Sequence, residues 1–219
     1  MKILIVGGGK SGSFLAETLM ADHRITVIEN RVEQAGVLRE KLPDITVIHG
    51  DGCEPYILER AGVSTTDVVA ALTGDDEDNL VVSFLAKFQN QVPIVFARIN
   101  DPRNEWLFNN SWGVDVAISS TSIIASLVQE EVSLGDIVTL LKLRVGNLAI
   151  DELTLPESAR SVGKNLAELH FPPQAQVIAI ISGSEVKIPR GHTVLQAGDK
   201  LLLLSNIDEK DQLLEALGI

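Results

Sequence analysis

A chain of 219 residues, 45% of them hydrophobic, has room for one large domain or two small ones with a sizeable core. Its formal charge of −12 argues against nucleic acid, whose backbone demands clustered Lys and Arg. No apolar run approaches the roughly 18–20 residues that cross a bilayer, and Gly7, Gly8 and Gly9 interrupt any signal peptide. The single cysteine, Cys53, leaves no disulfide framework and no thiolate metal site, which fits a cytoplasmic protein. Aromatic residues make up only 4%, so Val, Ile and Leu must fill the core, as in buried parallel strands covered by helices.

In chain order, residues 2–6 read as a buried strand ended by glycines, and residues 12–21 as a helix with Leu15 and Leu19 facing a core. Strands follow at 25–28, 45–48, 68–72, 94–99 and 114–118, with helices at 32–42, 55–60, 79–88, 103–109 and 121–132. This alternation predicts an α/β fold with a doubly wound parallel sheet. After Gly135 the rhythm changes to apolar β segments at 138–145, 177–181 and 201–204. A short helix is expected at 162–169, turns at 188–198 and a last helix at 209–217. These form a second, smaller α+β domain of about 80 residues, marginal alone and better stabilised by pairing. The expected domains are 1–134 and 135–219.

Gly7-Gly8-Gly9-Lys10-Ser11-Gly12 fits G-x-G-x-x-G between a strand and a helix, which makes the first domain Rossmann-like. Gly7 permits the tight turn, Gly9 lets backbone approach a pyrophosphate, and Gly12 lets the helix pack on the sheet. Glu29 closes the second strand, where such folds place a carboxylate for the adenosine ribose hydroxyls. A carboxylate there disfavours a 2′-phosphate, although Arg31 lies close enough to soften that preference. Asp51, beside Gly52, either reaches the adenine or ribose or caps the segment starting at Glu54. Lys10 opposes the dipole of its own helix unless a phosphate binds there.

Thr73 stands at the carboxyl end of the fourth strand and is a candidate ligand contact. The acids Asp75 to Asp78 after it suit a helix start without further function. Arg98 ends the fifth strand and either reaches a phosphate or pairs with an acid such as Asp101. Catalytic motifs are absent: the only tyrosine, Tyr56, has Arg60 where a short-chain dehydrogenase needs lysine. His23, His49, His170 and His192 have no metal-ligand spacing and belong to no nucleophile motif. Cys53 fits a buried, inert thiol.

The whole chain resembles the TrkA/KtrA family of potassium-transport regulators, built from an RCK N domain and an RCK C domain. The resemblance rests on Ile3 to Gly12, Gly50-Asp51-Gly52 and Thr73 to Leu80 in the first half. In the second half it rests on Ser161 to Leu169, Ile188-Pro189-Arg190-Gly191 and Leu195 to Leu201. It implies a non-enzymatic cytoplasmic regulator at the inner face of the cell membrane that binds NAD(H) or ATP/ADP and gates a potassium transporter or channel. By the same resemblance, Gly7, Gly9 and Gly12 face phosphates, Glu29 the ribose, and Asp51 the adenosine. Lys10 matches a position where ATP-binding relatives often carry arginine. The cofactor-binding set is then Gly7, Gly9, Lys10, Ser11, Gly12, Glu29, Asp51, Gly52, Thr73 and Arg98. Family members form homodimers and octameric rings, and some C domains bind cyclic di-AMP between two protomers. Ser119-Ser120-Thr121 stands where some relatives carry a metal-binding glutamate, so no metal is expected there. The alternatives are a soluble NAD-dependent oxidoreductase and a nucleotide-binding scaffold without a membrane partner.

Overall fold

Alternation along each apolar strand decides which side chains meet which helix layer. The first strand, β1 (Lys2–Val6), sends Leu4 and Val6 into one core and Ile3 and Ile5 into another, one on each face of its sheet. A strand buried on both faces must be covered twice, and helices on alternating sides do this. The computed structural model describes residues 1–132, 137–143 and 147–219.

The remaining strands of this sheet are β2 (Arg24–Glu29), β3 (Thr46–His49), β4 (Val68–Ala71), β5 (Ile94–Arg98) and β6 (Val116–Ile118). They run parallel in the order β3-β2-β1-β4-β5-β6. The order reverses between β1 and β4, so loops leaving their carboxyl ends diverge and open a crevice. Val6 is level with Ile28 on one side and Ala71 on the other, which aligns the three strand ends at that crevice. The Rossmann-like sheet expected from the sequence is the one observed.

The helices of this part are α1 (Lys10–Leu19), α2 (Val32–Lys41), α3 (Pro55–Arg60) and α4 (Asp76–Phe84); α5 (Ser120–Val132) follows β6 in the chain. Two expectations need correction here. The helix predicted over 79–88 starts earlier, because Asp76, Glu77 and Asp78 form its favourable first turn, and it ends in a π-helical turn at Leu85–Gln89. The segment 103–109 is a 3₁₀ turn, Pro102–Leu107, started by Asp101 accepting from the Arg103 N–H.

The later part of the chain forms an antiparallel sheet with the order β10-β9-β11-β8-β7. Its strands are β7 (Val138–Lys142), β8 (Leu148–Thr154), β9 (Gln176–Ser182), β10 (Glu185–Lys187) and β11 (Lys200–Asn206), followed by α6 (Lys210–Leu217). Leu153, Ile180, Leu201, Leu203, Leu213 and Leu217 fill the core between sheet and helix. Strands β8 and β10 were not expected. The helix predicted at 162–169 is a single 3₁₀ turn, Leu166–Glu168, because Gly163 adopts φ +83° and breaks the periodicity. The last residues of the strand predicted to reach 145 lie outside the described residues.

The chain divides into two compact units, Met1–Thr121 and Ser122–Ile219. The boundary expected between 134 and 135 lies outside the described residues. Among the described residues no helix is long and apolar enough to cross a membrane.

Candidate functional site

The turn after β1 is fixed from below. Gly7 has φ +104°, and a Cβ there would stand 2.8 Å from the Leu72 carbonyl. Gly12 is buried, and a Cβ on it would stand 1.9 Å from the Gly7 carbonyl oxygen, so α1 can sit this close only without a side chain. Gln34 Nε2 and Ser13 Oγ donate to the Gly8 carbonyl and lock the turn. Around Gly9, by contrast, a Cβ would meet only Arg31 Nη2, at 3.8 Å. No side chain caps the start of α1, so its first N–H groups are available to an anion.

The crevice beside this turn is a cavity of 510 Å³. Nine of the ten expected ligand residues line it: Gly7, Gly9, Lys10, Ser11, Glu29, Asp51, Gly52, Thr73 and Arg98. Gly12 does not; it supports the turn from beneath. Four loops at the carboxyl ends of β1, β2, β3 and β4 contribute, together with Arg98 from the end of β5. The volume lies within the range that holds a nucleotide-sized ligand, about 300–1,000 Å³.

Glu29 is 2% exposed. Its Oε1 accepts the Arg31 backbone N–H and Arg31 Nε, both at 2.9 Å. Its Oε2 accepts the Gly8 N–H at 2.8 Å and Arg31 Nη2 at 3.1 Å. Burial pushes this carboxyl up, but the Arg31 hydrogen bonds and charge, with the Gly8 N–H, outweigh it and hold the group below its ordinary value. Asp51 is exposed and accepts the Cys53 N–H at 2.8 Å within its own loop, and α3 begins at Pro55 after Glu54 with no side-chain cap. Cys53 is half-buried beside it. Burial, then the nearby Asp78 and Asp51, push the thiol up to about 12.

Thr73 is held by a residue outside the expected set. Asn79 Oδ1 accepts the Thr73 N–H at 2.8 Å and is 2.9 Å from its hydroxyl, while Asn79 Nδ2 donates to the Arg98 carbonyl at 2.9 Å. One buried amide therefore ties together the two loops that present Thr73 and Arg98. Asp76, also buried, accepts from the N–H groups of Asn100 and Asp101 and from the side chains of Asn100 and Asn104. Burial raises its pKa, but these four donors more than reverse the effect and hold it low. Asp76 thus does more than start a helix. Its role left no sequence signal, because its partners lie more than twenty residues onward.

Asp101 pairs with Arg103, not Arg98, and that neighbour holds its carboxyl down to about 2. Arg98 Nε is buried and has no hydrogen-bond partner among the described residues. The cavity wall mixes Lys10, Arg31 and Arg98 with Glu29, Asp51, Asp75 and Asp78. No histidine or tyrosine lines it. Among the described residues no group of three or more His, Cys, Asp or Glu could hold a metal ion.

Residues 3–120 match the TrkA-N domain family and residues 151–218 the TrkA-C domain family. The Trk system potassium uptake protein TrkA of Mycobacterium tuberculosis H37Rv is 39% identical over 214 residues, covering 97% of this chain and 96% of that protein. A TrkA homolog of Methanothermobacter thermautotrophicus is 31% identical over 209 residues, covering 95% of each. Among solved structures, the chain is similar to the GsuK channel bound to NAD, with a TM-score of 0.63 at 19% identity. That match spans 100% of this chain but 39% of the channel chain, and it speaks to fold alone. The TrkA-N domain of the inner membrane protein ybaL from Escherichia coli gives a TM-score of 0.54 at 22% identity, over 60% of this chain and 96% of that one. Full-length kinship and two successive domain matches give one answer: the chain belongs to the TrkA family, with a TrkA-N domain followed by a TrkA-C domain.

Proposed function

We propose that this chain is a cytoplasmic regulatory subunit of a potassium transporter or channel, gating transport by binding an adenine nucleotide in the 510 Å³ cavity. The observation that carries the reading is the convergence of an uncapped helix start, a buried ribose-type carboxylate and an unpartnered Arg98 Nε on one crevice. Leaving such a donor buried and unpaired costs about 1–3 kcal/mol, and a ligand phosphate would offset it. Kinship with proteins named for potassium uptake supplies the transport half. Binding rather than catalysis fits a cavity lined by no histidine or tyrosine and by one thiol held protonated.

Nucleotide binding gates transport only if the ligand binds two states of the assembly with different affinity. That assembly is a homodimer within an octameric ring on the inner face of the membrane. Ile123, Ile124, Leu127 and Val128 lie exposed on α5 and form an apolar face suited to a second copy. Light scattering on the purified chain is expected to give a dimer or larger.

Calorimetry with NADH, NADPH, ATP, ADP and AMP tests the ligand half. NADH is expected to bind more tightly than NADPH, because Glu29 repels a 2′-phosphate. Lys10 lines the cavity from the exposed start of α1, so Lys10→Ala should weaken ATP more than ADP, by about 1 kcal/mol, and leave NADH nearly unchanged. Tighter binding of NADPH than NADH would sink the ribose assignment.

A further inference from the structure

Glu29 is the residue expected to receive ribose hydroxyls, yet its acceptor positions are taken. An ionised carboxylate offers about four lone-pair sites. Gly8 N–H, Arg31 N–H, Arg31 Nε and Arg31 Nη2 occupy them, at 2.8 to 3.1 Å. Two of these donors are backbone, fixed by the turn and by the start of α2. The other two sit on a single side chain that is 63% exposed. Of the four donors, only the guanidinium can leave without deforming the backbone. A ribose diol gains Glu29 by displacing it.

The same guanidinium also stands beside the open turn. Arg31 Nη2 stands 3.8 Å from where a Cβ on Gly9 would be, and beyond Gly9 and its chain neighbours no other heavy atom comes within 4 Å of that point. Gly9 is where the turn lies open to a phosphate. The guanidinium therefore stands within reach of both the buried carboxylate and the phosphate seat. A planar fork moving from carboxylate to phosphate exchanges one bidentate anion for another. A bare nucleoside offers no such exchange: its hydroxyls would break the Arg31 pair and leave the guanidinium without an anion to receive it.

We propose that Arg31 makes this site select phosphorylated over unphosphorylated adenosine: it closes Glu29 until a ligand phosphate draws the guanidinium away and frees the carboxylate for ribose. The inference rests on the adenine-nucleotide reading above and names the residue that sets the phosphate requirement. It turns two recognition events, ribose and phosphate, into one.

Calorimetry with adenosine, AMP, ADP, NADH and NADPH on the full chain, Arg31→Ala and Arg31→Lys tests it. The wild-type chain should prefer AMP to adenosine. Arg31→Ala should bind adenosine about tenfold tighter and AMP and ADP about tenfold weaker, the scale of one charge-assisted hydrogen bond. Arg31→Lys keeps the charge without the fork and should fall between the two. Equal weakening of adenosine and AMP in Arg31→Ala would reduce Arg31 to a support for Glu29 and overturn the proposal. A loss confined to NADPH would make it a 2′-phosphate reader and overturn it as well. Wild-type binding of adenosine and AMP with equal affinity defeats Arg31 selection but leaves nucleotide binding intact. Binding of none of the five ligands defeats both.

Discussion

Two buried carboxylates, one in each unit, show how similar burial can serve opposite ends. Glu29 is 2% exposed and Asp151 is 0% exposed. Glu29 has one side-chain partner, the mostly exposed Arg31. Asp151 accepts the hydroxyls of Thr139 and Ser205, both at 2.6 Å, and lies 3.1 Å from Lys210 Nζ. Lys210 also donates to Thr139 Oγ1, closing a network across β7, β8, β11 and α6. A carboxylate held by an exposed arginine at a crevice can change partners. One held by two strands and a helix of its own core cannot. Burial marks both residues, and the exposure of their partners tells them apart.

Removing Asp151 has the largest expected effect. Asp151→Ala leaves two hydroxyls and the Lys210 charge without their acceptor, and should cost about 3–5 kcal/mol of unfolding free energy. Circular dichroism in urea reads it, since both tryptophans, Trp106 and Trp112, lie in the other unit. Nucleotide affinity should stay unchanged. Asp151→Ala with unaltered stability would remove the structural half of the contrast.

Glu29→Ala should behave the other way round. Adenosine-containing ligands should lose about ten- to hundredfold in affinity, the worth of a hydrogen bond to a charged group, near 1.5–3 kcal/mol. Stability should fall by only about 1–3 kcal/mol, from the Gly8 N–H left unpaired. If stability collapses while affinity in the surviving protein is normal, Glu29 belongs with Asp151.

Acid sharpens the same contrast by the smallest margin. Glu29 and Asp76 are held below their ordinary values of 4.5 and 3.8 in the folded state. Groups depressed on folding stabilise fully above the ordinary value, and that contribution is lost as pH falls through the folded one. Tryptophan fluorescence in urea should give a midpoint that is flat toward pH 4.5 and falls below it. The drop is modest, because Arg31 is exposed and screened. Glu29→Gln should flatten the slope without abolishing it, since Asp76 remains. A midpoint that rises on acidification below pH 4.5 would refute the linkage.

The six parallel strands were legible because each is a short run rich in Val or Ile set between helical segments, and the central β1 is apolar on both faces up to the glycine turn. Strand β8 was not, and Asp151 is the reason. An acid stands at an inward position of Leu148–Thr154, and its partners Thr139, Ser205 and Lys210 are scattered along the sequence. Strand β10 is three residues long, with Val186 67% exposed, and carries no pattern. In the crevice, strand ends and glycines located nine lining residues. The sequence could not show that Arg31 already fills Glu29, or that Asn79 binds the loops of Thr73 and Arg98 together. Those facts depend on where side chains turn after the fold has formed.

Cys53 has a practical consequence at the bench. Burial, Asp78 and Asp51 push its thiol up to about 12, so the reactive thiolate is scarce at neutral pH. The chain's one cysteine is therefore slow toward maleimides, and a cysteine introduced at an exposed position away from the crevice and α5, such as Asp44, would take most of a fluorophore. The native background that usually forces a cysteine-free variant is suppressed here by the acids and the burial around a single sulfur. Distance measurements between labelled copies can start from the unaltered sequence.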